Sequence, residues 1–268
     1  MDPKKYTEAN REAWNEATHV HQKHRGGSLK EKFREKGFST LDETITAKLK
    51  EIGLKDKHVA QVFCNNGREL LSIINLGAAS GVGFDISDEA IKEADELKII
   101  SGLKAEFVRT DIFDIDKIYF NKFELVYISI GGLTWVQDLD AAFGKIIGLL
   151  KPGGHLVIYD QHPFYFMLAL DDEEGYDPAH PDKPVYSYFK TEPWSSTSGI
   201  DYVGKTRYKA KVNYSFTHKF ADIITALAQK GIVIKELYEY PHDLTEALDD
   251  LAEKKIIPLS YLLIGQKS

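Results

Sequence analysis

Short apolar runs alternate along this chain with stretches whose apolar residues have helical spacing. The first apolar run starts at Val59 and ends at an Asn-Asn-Gly turn, and an amphipathic pattern opens at Arg68. Further runs of strand length lie at 81–85, 105–109, 123–129, 155–160, 231–240 and 259–265. Alternation of strands and helices predicts a parallel sheet covered by helices on both faces.

Local signals mark where the predicted helices begin and end. Ser87 is placed to cap a helix whose first turn carries Asp88 and Glu89. Another helix starts near Asp138 and stops at the breaker 151–154, Lys-Pro-Gly-Gly. The last two strands follow each other without a long crossover helix, so they can pair antiparallel. We therefore predict an α/β fold with a doubly wound, mostly parallel seven-stranded sheet and an antiparallel last strand.

The alternation breaks over residues 163–216, which are rich in proline and aromatic residues. Within this segment, residues 208–214 alternate in polarity and predict a short strand. We predict an inserted cap of loops and short strands, with aromatic side chains facing a pocket or forming only the cap's own core. The chain would then consist of an N-terminal helical arm or lid (1–40), a core (41–162 and 217–268) and the cap.

Composition narrows the classes of function. A formal net charge of −7 argues against nucleic acid as a partner, because phosphate binding needs clustered positive charge. The N-terminal residues are hydrophilic and no apolar run reaches the length of a membrane span, so we expect no membrane partner. A single cysteine excludes an internal disulfide and fits a reducing compartment. We expect a cytoplasmic protein.

Polar residues follow the predicted strands where each strand ends. The carboxyl ends of parallel strands lie along one edge of the sheet, where ligands of doubly wound folds bind. The residues placed there are Cys64, Asn65, Asp85, Asp111, Ser129 and Asp160.

Five short motifs follow one another at the predicted strand ends. They are Cys64-Asn65-Asn66-Gly67, Gly83-Phe84-Asp85-Ile86-Ser87, Asp111-Ile112, Leu125-Val126-Tyr127-Ile128-Ser129 and Leu150-Lys151-Pro152-Gly153-Gly154. In this order they resemble the class I S-adenosylmethionine (SAM) dependent methyltransferases, over roughly residues 59–160 and the closing strands. Within that superfamily, the chain looks most like a bacterial group of small-molecule methyltransferases of unassigned substrate. The resemblance implies a Rossmann-like methyltransferase fold, SAM as cofactor and a small-molecule methyl acceptor.

The resemblance assigns roles to these positions. Asp85 would accept hydrogen bonds from the ribose hydroxyls, although a solvated acid at a strand end is the alternative. Asp111 resembles the acid that accepts the adenine amino group, with helix capping or turn formation as its competing role. Ile86 and Ile112 would pack against the adenine. Cys64, Asn65, Gly67 and Ser129 complete the expected cofactor site.

The first turn departs from the superfamily pattern. Gln61 stands where an acid is common, Phe63 where a glycine is common, and Asn65 replaces another glycine. Asparagine tolerates left-handed backbone, so the turn stays feasible, but Gln61 has no charge to offer the cofactor's ammonium group. In the resembling group a helix with a tryptophan closes over the methionine portion. Trp14 would take this place, or would only anchor the arm by packing.

Histidines supply the candidates for further chemistry. His162, just after the fifth strand, and His218, just after the cap, are candidate general bases for an oxygen or amine acceptor, or structural histidines. His19, His21 and His24 lack a carboxylate or cysteine cluster that would complete a metal site, so we expect a surface histidine arm and no metal. Cys64 as a nucleophile would need a nearby base, so a small residue in the turn is the favoured interpretation.

Two other functions stay open from the sequence. A non-catalytic SAM-binding protein is compatible with the altered first turn. A nicotinamide-dependent oxidoreductase would use a related sheet, but the Gly-x-Gly-x-x-Gly motif is missing and Asp111-Ile112 points to SAM.

Overall fold

The computed structural model describes residues 3–171 and 173–268. Its strands are β1 (His58–Val62), β2 (Ser80–Asp85), β3 (Ala105–Arg109), β4 (Phe123–Ile128), β5 (Leu150–Gln161), β6 (Trp194–Ser196), β7 (Asn213–Ser215), β8 (Ile232–Tyr240) and β9 (Ser260–Lys267). Its helices are α1 (Pro3–Arg25), α2 (Ser28–Lys32), α3 (Glu43–Ile52), α4 (Arg68–Asn75), α5 (Asp88–Ser101), α6 (Leu139–Leu149), α7 (Phe220–Gln229) and α8 (Asp249–Lys254).

Seven strands form one sheet in the order β3-β2-β1-β4-β5-β9-β8. Strand β1 pairs in parallel with β2 and β4, whereas β9 runs antiparallel to β5 and β8. The predicted mostly parallel, doubly wound sheet with an antiparallel last strand is confirmed. The chain order reverses between β1 and β4, and at such a switch point the carboxyl ends of the strands open a crevice.

Two apolar cores enclose the sheet. One includes side chains of α6 and α7, and the other includes side chains of α3, α4 and α5. In β1, Val59 points into the second core and Ala60 into the first, and Leu125 and Val126 of β4 alternate in the same way. Strands buried on both faces have no polar face, which explains why they read as continuous apolar runs in the sequence.

Side-chain caps start several of the helices at their predicted places. The Ser87 hydroxyl accepts a hydrogen bond from the Ala90 N–H at 3.1 Å, and Asp138 accepts one from the Ala141 N–H at 3.0 Å. Each cap satisfies a backbone donor that the helix leaves unpaired at its N-terminus. Helix α7 begins at Phe220, just after the segment 163–216 that was predicted to form the cap.

The structure differs from the predicted elements in two segments. The alternating residues 208–214 contribute only Asn213 and Tyr214 to a strand, because the one partner of β7 within the described residues is three-residue β6. The predicted breaker, residues 151–154, lies inside β5. Residues 151–154 form a bulge in this strand. Leu150 pairs with Phe123 and His155 pairs with Leu125, so four residues of β5 lie opposite a single residue of β4.

Candidate functional site

The turn after β1 adopts left-handed backbone at three positions. Phe63, Asn65 and Gly67 have φ of +55°, +48° and +73°. Asn65 and Gly67 tolerate this conformation, but Phe63 does not do so readily, so the turn holds local strain. A Cβ atom at Gly67 would also lie 2.3 Å from the Phe107 ring. Gly67 therefore shapes the turn and does not line the cavity described below.

Asp85 ties this turn to the end of β2. Its Oδ2 accepts the Asn65 N–H at 2.7 Å, and its Oδ1 accepts the Ser87 N–H at 2.9 Å. Burial raises the pKa of this carboxyl, while the backbone donors oppose the rise. A carboxylate has about four acceptor positions, more than these backbone bonds occupy, so it can also accept ligand hydroxyl protons.

Asp111 lies at the neighbouring strand end and caps the short helical turn that follows it, which was the alternative to a role in binding adenine. Its Oδ1 accepts the Phe113 N–H at 3.0 Å. In the described part of the chain, Oδ2 of Asp111 has no hydrogen-bond partner, so one oxygen stays available for a ligand. Ile86 and Ile112 provide apolar surface beside the two acids.

A polar chain links the ends of β1 and β4. Gln61 is buried and donates from Nε2 to Glu69 Oε2 at 2.8 Å and to Ser129 Oγ at 3.1 Å. Gln61 has no charge of its own at a position where the resembling superfamily commonly has an acid. A carboxylate is nevertheless present at this strand end, because Gln61 hydrogen-bonds Glu69 in the first turn of α4.

Cys64 lies at the same end of β1 and is 3% exposed. Burial and the nearby Asp85 carboxylate raise the pKa of its thiol well above the usual range. A protonated, buried thiol is a poor nucleophile, which favours the interpretation of Cys64 as a small residue of the turn.

Asp160 was expected along the ligand crevice, and the structure places it behind the loop that follows β4. Its carboxylate accepts N–H groups of Gly131, Leu133 and Gln161 at 2.5, 3.3 and 2.8 Å. It is 4% exposed, and burial raises its pKa to about 7. Asp160 thus positions the loop that carries Gly131 toward the cavity.

Helix α1 and the cap close over the strand ends. Asn10 donates from Nδ2 to the Tyr214 carbonyl at 2.8 Å and accepts the Tyr214 N–H at 2.7 Å. The rings of Trp14 and Trp135 meet edge to face, with centroids 5.3 Å apart. The expectation of a surface histidine arm is wrong for His21, which is 1% exposed and bonds the Ile200 carbonyl at 2.6 Å.

A cavity of about 620 Å³ lies between α1, the strand ends, the cap and residues 244–246. Eight of the eleven predicted site residues line it, and the three that do not are Gly67, His162 and His218. The predicted residues on its wall are Trp14, Cys64, Asn65, Asp85, Ile86, Asp111, Ile112 and Ser129.

The two candidate bases lie outside this cavity, and other groups of the protein engage their rings. His162 is 2% exposed, with Nε2 2.9 Å from Glu239 Oε1 and with Nδ1 accepting the Phe164 N–H at 3.1 Å. Nε2 of His218 bonds the Val136 carbonyl at 2.8 Å. Burial lowers the pKa of both imidazoles. In this arrangement both histidines hold loops together, which is the structural alternative weighed from the sequence.

Some residues of the cavity wall were not predicted from the sequence. Arg68 and Glu69 directly follow Gly67, and this position in the first turn of a helix after a strand could have identified them as site residues. Trp135, Gln161 and Tyr202 also line the cavity. Tyr202 is the one aromatic residue of the cap among the lining residues, so most of the cap's aromatic side chains face elsewhere.

The described residues contain neither a metal-binding group nor a membrane-spanning helix. Across residues 3–171 and 173–268, no three His, Cys, Asp or Glu side chains are grouped so that they could hold a metal ion. No described helix combines the length and apolar character needed to cross a bilayer.

Part of this chain matches a known protein family. Residues 54–176 match the family described as methyltransferase domain. No curated protein matches the sequence.

Solved structures with a similar fold have low sequence identity. A SAM-dependent methyltransferase from Mesorhizobium loti is 20% identical, with a TM-score of 0.62 over 82% of this chain and 96% of its own. A Listeria monocytogenes protein described with the same activity is 18% identical, with a TM-score of 0.63 over 84% of this chain and 100% of its own.

A third similar structure is the geranyl diphosphate C-methyltransferase from Streptomyces coelicolor A3(2). It was solved with Mg²⁺, geranyl diphosphate and S-adenosyl-L-homocysteine, and it is 12% identical, with a TM-score of 0.55 over 85% of this chain and 78% of its own. The resemblance predicted from the sequence is confirmed: the chain has the fold of the class I SAM-dependent methyltransferases, and its residues 54–176 match the methyltransferase-domain family.

Proposed function

We propose that this protein binds SAM and transfers its methyl group to a small-molecule acceptor. One observation carries the proposal: eight of the nine residues assigned to SAM from the sequence, all except Gly67, line a single cavity at the carboxyl ends of β1 to β4. Its volume of about 620 Å³ is in the range of sites for small ligands. The family match supports the same chemistry.

The residues around the cavity fit the parts of SAM. Asp85 has lone pairs for the ribose hydroxyls, and the unpartnered Oδ2 of Asp111 can accept from the adenine amino group. Ile86 and Ile112 supply apolar walls for the adenine. Asn66 adds a buried amide Nδ2 without a hydrogen-bond partner among the described residues, a donor that a bound ligand would satisfy.

When bound, SAM supplies an activated methyl group on a positively charged sulfur. The protein then has to orient the acceptor and exclude water, because the leaving group is already activated. Trp14, Trp135 and Tyr202 give the cavity an aromatic wall that can face a sulfonium cation or an apolar acceptor. Gln161 and Thr134 also line the cavity and offer polar groups that can orient an acceptor by hydrogen bonds.

Turnover can be tested without knowing the acceptor. The protein is incubated with methyl-labelled SAM and a bacterial metabolite extract from which macromolecules have been removed, and S-adenosylhomocysteine and labelled products are measured. Label transfer that requires both protein and extract supports the proposal. Tight SAM binding without transfer in any extract would contradict it.

A non-catalytic SAM-binding protein is the second candidate, and one observation favours it. Neither His162 nor His218 lines the cavity, and no other histidine of residues 3–171 and 173–268 does, so these residues place no imidazole to remove a proton from an acceptor. Acceptors that need no general base, such as thiolates or activated carbons, would still react in such a site. The transfer experiment separates the two candidates.

A further inference from the structure

The first turn of α4 presents two opposite charges to the cavity. Arg68 and Glu69 are its first two residues, and both are partly exposed on the cavity wall. Within residues 3–171 and 173–268, neither side chain has an ion-pair partner. A ligand that carries both a negative and a positive group could pair the first with Arg68 and the second with Glu69.

Gln61 holds Glu69 at the ends of the central strands. The Gln61 amide donates to Glu69 Oε2 at 2.8 Å and to Ser129 at 3.1 Å. Because Gln61 is a neutral amide, it orients the Glu69 carboxylate without neutralising it. Glu69 thus supplies, from a helix, the negative charge that Gln61 lacks on the strand.

A buried donor lies beside this pair of charges. Asn66 is 1% exposed and lines the cavity, and its Nδ2 has no hydrogen-bond partner in the described chain. A buried amide donor without a partner is costly, so a ligand acceptor that reaches it gains affinity. Together, Arg68 and Asn66 offer donors for a carboxylate, and Glu69 offers an acceptor for an ammonium group.

We propose that Glu69 binds the α-ammonium group of the cofactor's amino-acid end, and that Arg68 and Asn66 bind its α-carboxylate. This assignment rests on the proposed function. Asn65, which directly precedes Asn66 in the same turn, donates its N–H to Asp85 at 2.7 Å. The turn that carries the three proposed residues is therefore joined to the acid assigned to the ribose. The cofactor's ribose and amino-acid end are joined through its sulfur, so neighbouring sites for the two parts fit one ligand.

Two ligands isolate the amino-acid end in a binding experiment. S-adenosylhomocysteine carries the amino-acid group, whereas 5′-methylthioadenosine has the same adenosine and a thioether without it. We would measure both affinities by calorimetry for the wild type, Glu69→Gln and Arg68→Gln. The matched control is Glu89→Gln, because Glu89 is the second residue of α5 as Glu69 is of α4, but it does not line the cavity.

The expected result is a loss that depends on the ligand. Each of Glu69→Gln and Arg68→Gln should weaken S-adenosylhomocysteine binding about 10- to 100-fold, as expected for a lost charge-assisted hydrogen bond, and change 5′-methylthioadenosine binding less than about twofold. Glu89→Gln should leave both affinities unchanged. If one cavity variant fails to fold, the other decides the outcome.

Two results would overturn the assignment. An equal loss of affinity for both ligands would mean that these side chains act through the shape of the turn. Unchanged affinity for both ligands would mean that the side chains do not contact the ligand. A wild-type protein that binds neither ligand would overturn the proposed function itself, and that result is recognisable before any variant is measured.

Discussion

At the residue scale, two acids at strand ends show how similar sequence positions acquire different surroundings. Asp85 and Asp160 each follow an apolar strand. Asp85 is partly exposed on the cavity wall, whereas three backbone N–H groups cover the carboxylate of Asp160. A strand pattern predicts the place of both acids. It does not predict the loop that folds over one of them.

Asp160 makes the stability of the protein depend on pH in a defined direction. Burial raises its pKa to about 7 in the folded state, while an unfolded aspartate titrates near ~3.9. Between these values the folded protein retains a proton that the unfolded chain has lost. The contribution of Asp160 to the free energy of unfolding therefore falls as pH rises from about 4 to about 7, by at most about 4 kcal/mol.

Asp160→Asn tests this pH dependence because asparagine keeps the size of the side chain and does not ionise. Urea unfolding would be measured for both proteins at about pH 5 and about pH 7.5. The stability of the wild type relative to the variant should decrease toward the higher pH. An equal difference at both pH values would show that Asp160 titrates normally in the fold.

The roles of the two candidate histidines could not be predicted from their local sequence. A position just after β5 made His162 a candidate base, yet its ring bonds Glu239 of β8, 77 residues away. A hydrogen bond between residues so distant in sequence depends on the assembled sheet. The local pattern around His162 therefore could not distinguish a catalytic histidine from a structural one.

At the element scale, the turn into α4 depends on a glycine that lies behind the cavity. Gly67 and Gly102 both have left-handed backbone, with φ of +73° and +66°. A Cβ atom at Gly67 would collide with the Phe107 ring, whereas a Cβ atom at Gly102 meets nothing within 4 Å. Gly102→Ala is therefore a matched control for backbone strain alone.

We predict that Gly67→Ala is more destabilising than Gly102→Ala. The control should lose about 1 kcal/mol from backbone strain, and Gly67→Ala about 2–4 kcal/mol because overpacking adds to the strain. Thermal unfolding of the two variants checks the order. Equal losses would mean that the Phe107 ring moves aside at little cost and that the close approach does not shape the turn.

Helix α1 is the element whose placement the sequence predicts least well. Its few apolar residues suggest an arm that is mobile without cofactor, but in the structure it lies against α5 and β7. The paired hydrogen bonds between Asn10 and Tyr214 join residues 204 positions apart. Contacts of this kind come from docking of distant segments and leave no periodic signal.

Amide exchange measures whether the cofactor stabilises this docked helix. Trp14 lines the cavity from α1, so we predict that S-adenosylhomocysteine slows exchange across residues 6–25. Helix α7 contributes no residue to the cavity wall and serves as the internal control. An α1 equally protected with and without ligand would mean that Trp14 only packs against Trp135.

At the scale of the whole molecule, the sheet follows from the sequence and the enclosure of the cavity does not. Alternating strands and helices predicted the seven strands, because each element has a local pattern of burial. The cavity is closed by α1, by Tyr202 and its neighbours in the cap, and by residues 244–246. How these three segments meet depends on side-chain contacts across the fold.

The proposed function requires that the cavity bind SAM with the ribose held by Asp85. Calorimetric titration of the full chain and of Asp85→Asn with S-adenosylhomocysteine, and with NADH as the competing ligand, measures this binding. We predict one saturable site for S-adenosylhomocysteine, no NADH binding, and a loss of affinity of about 30- to 150-fold in the variant, or roughly 2–3 kcal/mol. NADH binding in place of S-adenosylhomocysteine, or an unchanged affinity in Asp85→Asn, would contradict the proposed site.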